Sequence, residues 1–392
     1  MSLECASVDY PAGRANLPQM KDSGYTRLDK SIYSSRRVPR RRLFGTILAV
    51  AVVLSIWGLA LGIPRLHLAL DGATKYSLDP IVISNNTNKD RVETLYSVGV
   101  VTQQLTEVPA SGSASISGSR YITLILRYPA SGPPDSAELP GARPYTVNSP
   151  YPLVIFSPGF DIASGRYAVL LDSWVKAGFV VAEPEYPYTD PSYPGGVDES
   201  DIVNHPGDLS FVISTLLGDA NQATSVLYKL IDPTKVIAAG QSDGGDVSLA
   251  AVDNGCCRDT RISAAMILSG AEYSAFPGSY FKSNSIPMLI TQGTNDLINP
   301  EFCSVQIYNQ APSPKYYLSL LGANHLEPYT GPGPYEEITA QVTTDFLIKI
   351  TNGLAAGPDQ MSVSGNVPGL STFTSAPSVP PVGGSCPGAP GS

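Results

Sequence analysis

The stretch from Lys235 to Gly245 reads KVIAAGQSDGG, and its reading decides the fold. It opens with a short apolar run of strand character, and a helical pattern follows directly over 243–254. Between them stands Gly240-Gln241-Ser242-Asp243-Gly244, a G-x-S-x-G sequence. A serine placed between strand and helix sits on a sharp, strained turn, and glycines flank it because side chains there would strike neighbouring backbone. Such a turn presents the hydroxyl at the strand end, which makes Ser242 the candidate nucleophile. The bland alternative is a turn of small residues without chemistry.

A serine hydroxyl attacks poorly until a base takes its proton, and the chain has only three histidines for that work. His67 lies beside a long apolar segment. His205 opens a helical stretch, where a surface or capping role is the simpler reading. His325 stands in LGANHLEPYTG, in the loop after the last apolar run, from which it can reach the same sheet edge as Ser242. A carboxylate must fix the tautomer of that base and stabilise its imidazolium. Asp296, in TQGTNDLINP just beyond the run IPMLITQ, fits best, giving the chain order Ser242, Asp296, His325. Glu301 and Glu327 are weaker candidates, and a helix-capping role is the alternative for Asp296. An oxyanion needs backbone donors at this edge, usually from the residue after the nucleophile and from an earlier loop. These are expected at Asp243 and, in Ser157-Pro158-Gly159-Phe160-Asp161, at Phe160, with Gly159 and Asp161 as alternatives.

The surrounding pattern fits an α/β domain over 96–354. Runs at 97–107 and 120–128 alternate and suggest an antiparallel start to the sheet. Fully apolar runs at 152–157, 178–183, 235–239, 263–269, 286–292 and 316–321 suit parallel strands covered on both faces. Helical stretches at 165–176, 206–218, 243–254, 301–310 and 334–351 fall between or after them. Residues 64–95 read as a linker, and 355–392, rich in Gly, Pro and Ser, as a disordered tail.

Charged residues make up 15% of the 392, well below the roughly 25% of an average soluble domain. Residues 1–42 carry nine Lys/Arg against four Asp/Glu, leaving the remaining 350 at 16 against 30. So acidic a body argues against nucleic acid as a partner. Residues 43–63 form an uncharged run of 21, long enough to cross a bilayer of about 30 Å. Arg36, Arg37, Arg40, Arg41 and Arg42 precede it, so a single transmembrane helix is expected, with residues 1–42 cytoplasmic and the rest outside the cell membrane. A cleaved signal peptide and secretion is the rival reading. Outside lie Cys256, Cys257, Cys303 and Cys386. A bond between neighbours would strain their peptide link, so one of Cys256 and Cys257 is expected to reach Cys303, with Cys386 as the alternative partner.

Elbow GQSDGG, acid loop GTNDLINP, histidine loop GANH and oxyanion loop FSPGF together resemble the α/β-hydrolase family over nearly all of 96–354. Tyr128-Pro129-Ala130, FSPGF and GFVVAEPEYP look most like the branch of platelet-activating-factor acetylhydrolases, chlorophyllases and cutinase-like polyester hydrolases. The chain departs from that branch at Gln241 and Pro158, where a histidine commonly stands. The resemblance implies an α/β-hydrolase fold, mostly parallel with helices on both faces, and a serine esterase that cleaves acyl esters without metal or organic cofactor. An acyltransferase or peptidase on the same residues, or a catalytically silent envelope binding protein, are the competing functions. Only 16 residues, 270–285, lie where the fold usually inserts a helical cap, so an open cleft is expected, bordered by 187–204.

Overall fold

Twelve strands and seven helices are described in the computed structural model, which covers residues 81–84, 92–108, 118–134, 137–282, 286–352 and 359–387. The chain divides into two units, 1–73 and 74–392, and all described residues lie in the second. The segment 43–63 falls outside them. Among the described residues no helix is long and apolar enough to cross a membrane.

Strands β1 (Ile81–Ser84) and β2 (Val92–Leu95) pair antiparallel as a separate two-stranded sheet, within the range read as a linker. The main sheet holds β3 (Ser97–Glu107), β4 (Arg120–Ala130), β5 (Leu139–Pro140), β6 (Tyr151–Ser157), β7 (Val180–Glu185), β8 (Ile231–Gln241), β9 (Ile262–Leu268), β10 (Met288–Gly293), β11 (Lys315–Leu320) and β12 (Ser371–Thr374). Their order across the sheet is β12-β11-β10-β9-β8-β6-β7-β4-β3-β5. The six strands from β7 to β11, β6 included, run parallel to one another, while β3, β4 and β12 join antiparallel. The chain crosses over at β6, between β7 and β8, so the β6 and β8 ends lie side by side at the centre. That is where a doubly covered sheet leaves a crevice beyond its carboxyl edge.

The helices are α1 (Ala168–Lys176), α2 (His205–Asp219), α3 (Asp243–Asp253), α4 (Glu301–Gln310), α5 (Glu327–Thr330), α6 (Pro334–Asn352) and α7 (Gln360–Gly365). Side chains alternate along a strand, so each parallel strand feeds two cores. Leu153, Ile155, Val236, Ala238 and Ile290 pack with Val212 and Leu216 of α2, Val247 of α3 and Ile307 of α4. Val154, Phe156, Ile237, Ala239 and Leu289 face the other way, onto Leu171 and Trp174 of α1 and Val342 and Phe346 of α6. The apolar runs are continuous because water reaches neither face. Trp174 Nε1 donates to Thr343 Oγ1 at 2.9 Å and locks α1 to α6 inside that second layer.

Two expectations are corrected. The range read as a disordered tail is ordered from 359 to 387. It holds too little apolar surface for a core of its own and borrows one instead: Met361 and Phe373 are buried in the α6 layer, and β12 pairs with the edge strand β11. Beyond β12 the chain crosses α4, where Tyr308 donates to the Ala376 carbonyl and Asn309 Oδ1 accepts the Val379 N–H at 2.9 Å. That path brings Cys386 to Cys303, with Cα atoms 5.0 Å apart, and the two are bonded. Cys256 and Cys257, in the turn after α3, are bonded to each other, so neither reaches Cys303.

Candidate active site

Ser242 occupies the turn between β8 and α3 with φ 55° and ψ −126°, a conformation that costs a non-glycine residue about 1–3 kcal/mol. Three backbone bonds hold it there. Its N–H donates to the Leu268 carbonyl at 2.9 Å, and its own carbonyl accepts the N–H groups of Gly245 and Asp246 at 2.7 and 3.0 Å. The flanking glycines follow from close approach: a Cβ on Gly240 would stand 2.0 Å from the Gly244 carbonyl oxygen, and one on Gly244 would stand 1.9 Å from that of Ser157. These neighbours are backbone and cannot yield without parting α3 from β8 in the first case and from β6 in the second. Gly244→Ala is therefore expected to cost more than about 3 kcal/mol, at the high end for one substitution; the urea midpoint of the variant measures it.

Asp296 follows β10 and His325 follows β11, and they meet: His325 Nδ1 lies 2.7 Å from Asp296 Oδ2. The Asp296 side chain is wholly buried and fully engaged. Its Oδ1 accepts the N–H groups of Ile298 and Asn299 at 2.9 and 3.0 Å, and Oδ2 also accepts Gln292 Nε2 at 3.0 Å. Four donors hold the carboxylate fixed in place. Gln292 is itself pinned by Ser304 Oγ, which donates to its Oε1 at 2.7 Å. With Nδ1–H given to Asp296, His325 Nε2 is left as an acceptor, the tautomer a general base needs. Among the described residues, Ser242 Oγ makes no hydrogen bond; the group facing His325 Nε2 is Gln241 Nε2, at 3.2 Å.

In the loop expected to supply an oxyanion donor, the hydrogen bonds single out one N–H. Gly159 N–H donates to Tyr167 Oη at 3.0 Å, and Asp161 N–H to the Thr189 carbonyl at 2.9 Å. Between them, the N–H of Phe160 has no acceptor among the described residues. The Asp243 N–H opens α3, where first-turn donors lack an intrahelical acceptor. The Phe160 N–H is thus free among the described residues, while the Asp243 N–H is met by the Asp243 carboxylate. The Asp243 carboxyl is pushed up to about 6 by burial and by the charge of Glu199, against the pull of His205 and His325.

The segment 187–204 runs as turns into a 3-10 turn at Glu199–Asn204, and it is tied to the site through Thr189 and the Asp161 N–H. Among the described residues of 270–285 there is no helix, as the short gap predicted. His205, read as a surface or capping residue, is buried, stacked on Tyr186 at 4.7 Å, and 3.3 Å from Asp201. Asp201, His205 and Asp208 bring ligand atoms within 4.8 Å of one another, a spacing that could hold a metal. Arg120 already supplies the cation: its Nε and Nη2 donate to Asp208, both at 2.6 Å, and Nη1 and Nη2 to Asp201 at 3.0 and 2.6 Å. The cluster reads as an anchor for the end of the 187–204 segment. Arg120 and Tyr167 carry no sequence signal because Asp201, Asp208 and Gln241 lie far off in the chain, and Gln292 carries none because an amide inside an apolar run does not announce its role.

No family model matches the chain, and no curated protein matches it in sequence. Solved structures do match in shape. A ferulic acid esterase from Streptomyces cinnamoneus superposes with a TM-score of 0.52 at 20% identity, over 71% of this chain and 96% of that one. The fold is thus the α/β-hydrolase fold.

Proposed function

We propose that the protein is a serine hydrolase of carboxylic esters. The observation that carries this is the buried Asp296–His325 pair at 2.7 Å, whose histidine lies 3.2 Å from Gln241, the residue next to a serine held at φ 55°. Ser242 Oγ attacks the acyl carbonyl while His325 Nε2 takes its proton, and Asp296 stabilises the imidazolium. The N–H groups of Phe160 and Asp243 receive the developing oxyanion. His325 then protonates the departing alcohol, and water, activated by the same imidazole, releases the acyl group from Ser242. Residues 43–63 hold the domain at the outer face of the cell membrane in this reading, supported by the arginines that precede them.

The chain as it exists, assayed on p-nitrophenyl esters of rising acyl length, is expected to turn over, and a fluorophosphonate is expected to label Ser242. Methyl ferulate belongs in the series because the structural neighbour is a ferulic acid esterase. Turnover without labelling of Ser242, or no turnover of any ester, would remove the reading.

A further inference from the structure

We infer that Gln241 is a positioning residue for His325, coupling the histidine to the oxyanion loop; this rests on the triad proposed above. Gln241 is wholly buried. Its Nε2 faces His325 Nε2 and the His325 carbonyl oxygen, each at 3.2 Å, and its Oε1 accepts Tyr167 Oη at 2.8 Å. Tyr167 Oη accepts in turn the Gly159 N–H at 3.0 Å. A continuous chain of bonds therefore runs from the loop bearing Phe160, through Tyr167 and Gln241, to the ring that must accept the serine proton.

The amide orientation follows from chemistry. A carbonyl oxygen can only accept, so the nitrogen must face His325 O, and the oxygen then meets the tyrosine hydroxyl. The NH2 group has two hydrogens with different duties. One holds the His325 backbone in every protonation state. The other reaches the Nε2 lone pair only while the ring is neutral, because an imidazolium Nε2–H has nothing to accept with. In the resting site this bond occupies the place that a bond from Ser242 Oγ would take, consistent with the unbonded hydroxyl. When His325 takes the serine proton the ring bond is released and the backbone bond stays; when the ring gives up its proton, Gln241 recaptures it in register. Gln241 can do this because it ends β8, which brings its amide within 3.2 Å of the ring nitrogen.

Gln241→Leu keeps the volume and removes all three bonds. Misplacement of a catalytic group by about 1 Å costs on the order of 10²-fold, so kcat is expected to fall about 10- to 100-fold with KM within about twofold. The downfield proton resonance of the His325 Nδ1–H bond is expected to broaden as the ring loses its second tether. Tyr167→Phe cuts the chain one link away, and is expected to lower kcat less and to add nothing on top of Gln241→Leu. Should Gln241→Leu fail to fold, the same kcat-against-KM split and resonance in Tyr167→Phe decide. Variants with kcat within twofold of wild type and an unchanged resonance would overturn the inference. Full turnover by Ser242→Ala would instead overturn the triad beneath it, so the two failures are distinguishable.

Discussion

Ser242→Ala and His325→Ala are each expected to lower kcat on a p-nitrophenyl ester by about 10⁴- to 10⁶-fold while leaving thermal unfolding close to wild type. The size follows from cooperation. Without the hydroxyl there is no acyl-enzyme, and without the imidazole the hydroxyl keeps its proton; either loss removes the whole covalent route. What would remain is the polarisation from the proposed donors, the Phe160 and Asp243 N–H groups. Asp296→Asn is expected to fall by about 10⁴-fold for another reason. An amide can accept the N–H groups of Ile298 and Asn299 as the carboxylate does, at 2.9 and 3.0 Å, so the loop keeps its shape. It cannot stabilise the imidazolium, and its NH2 forces the wrong tautomer on His325. Kinetics with the three variants, beside their circular dichroism, make the test. Hydrolysis within tenfold of wild type by either alanine variant would end the assignment.

The placement of the three candidate residues at one sheet edge was legible in the sequence because each follows an apolar run that had to be a parallel strand. Ser242 follows β8, Asp296 follows β10 and His325 follows β11, and parallel strands deliver their ends to one edge whatever their helices do. The count of histidines did the rest. The supports were not legible. Gln292 and Tyr167 act through partners 12 and 74 residues away, Ser304 and Gln241, and an amide or phenol in an apolar run gives no hint of them. The last segment failed differently. Its composition lacks a core, but Phe373 and Met361 complete one built by α6, and local composition cannot show a borrowed core. The cysteine pairing failed with it, since Cys386 reaches Cys303 only because that segment is ordered. Phe160 fell between: the loop was readable, yet only the occupied N–H groups of its neighbours single it out.

Arg127→Met is expected to destabilise the domain by about 3–5 kcal/mol at pH 8 and by clearly less at pH 5, because it strands buried carboxylates rather than removing contacts. Arg127 lies on β4, almost fully enclosed, with Nη1 2.6 Å from Glu183 Oε2, Nε 2.7 Å from Glu138 Oε1 and 3.6 Å from Asp172 Oδ1. It is one cation among three carboxylates. Burial pushes Glu183 up to about 7 despite the attraction of Arg127, and burial with the charge of Glu138 pushes Asp172 up to about 6. A carboxyl raised in the folded state holds its proton where the unfolded chain has lost it. Its contribution is therefore complete below the ordinary value of 4.5 and declines as pH rises through about 7. Wild type should itself be less stable at pH 8 than at pH 5, and removing the guanidinium should widen that difference. Urea midpoints of both proteins at both pH values give the pH-dependent part as a difference, which cancels titrations elsewhere. Arg127→Met/Glu183→Gln should recover much of the loss at pH 8 by taking the charge away with its partner. Equal destabilisation at the two pH values would sink the idea. The cluster adjoins the candidate site, because Ser164 Oγ donates to Glu185 at 2.6 Å two residues along β7, and three residues after Ser164 stands Tyr167, whose hydroxyl accepts the Gly159 N–H.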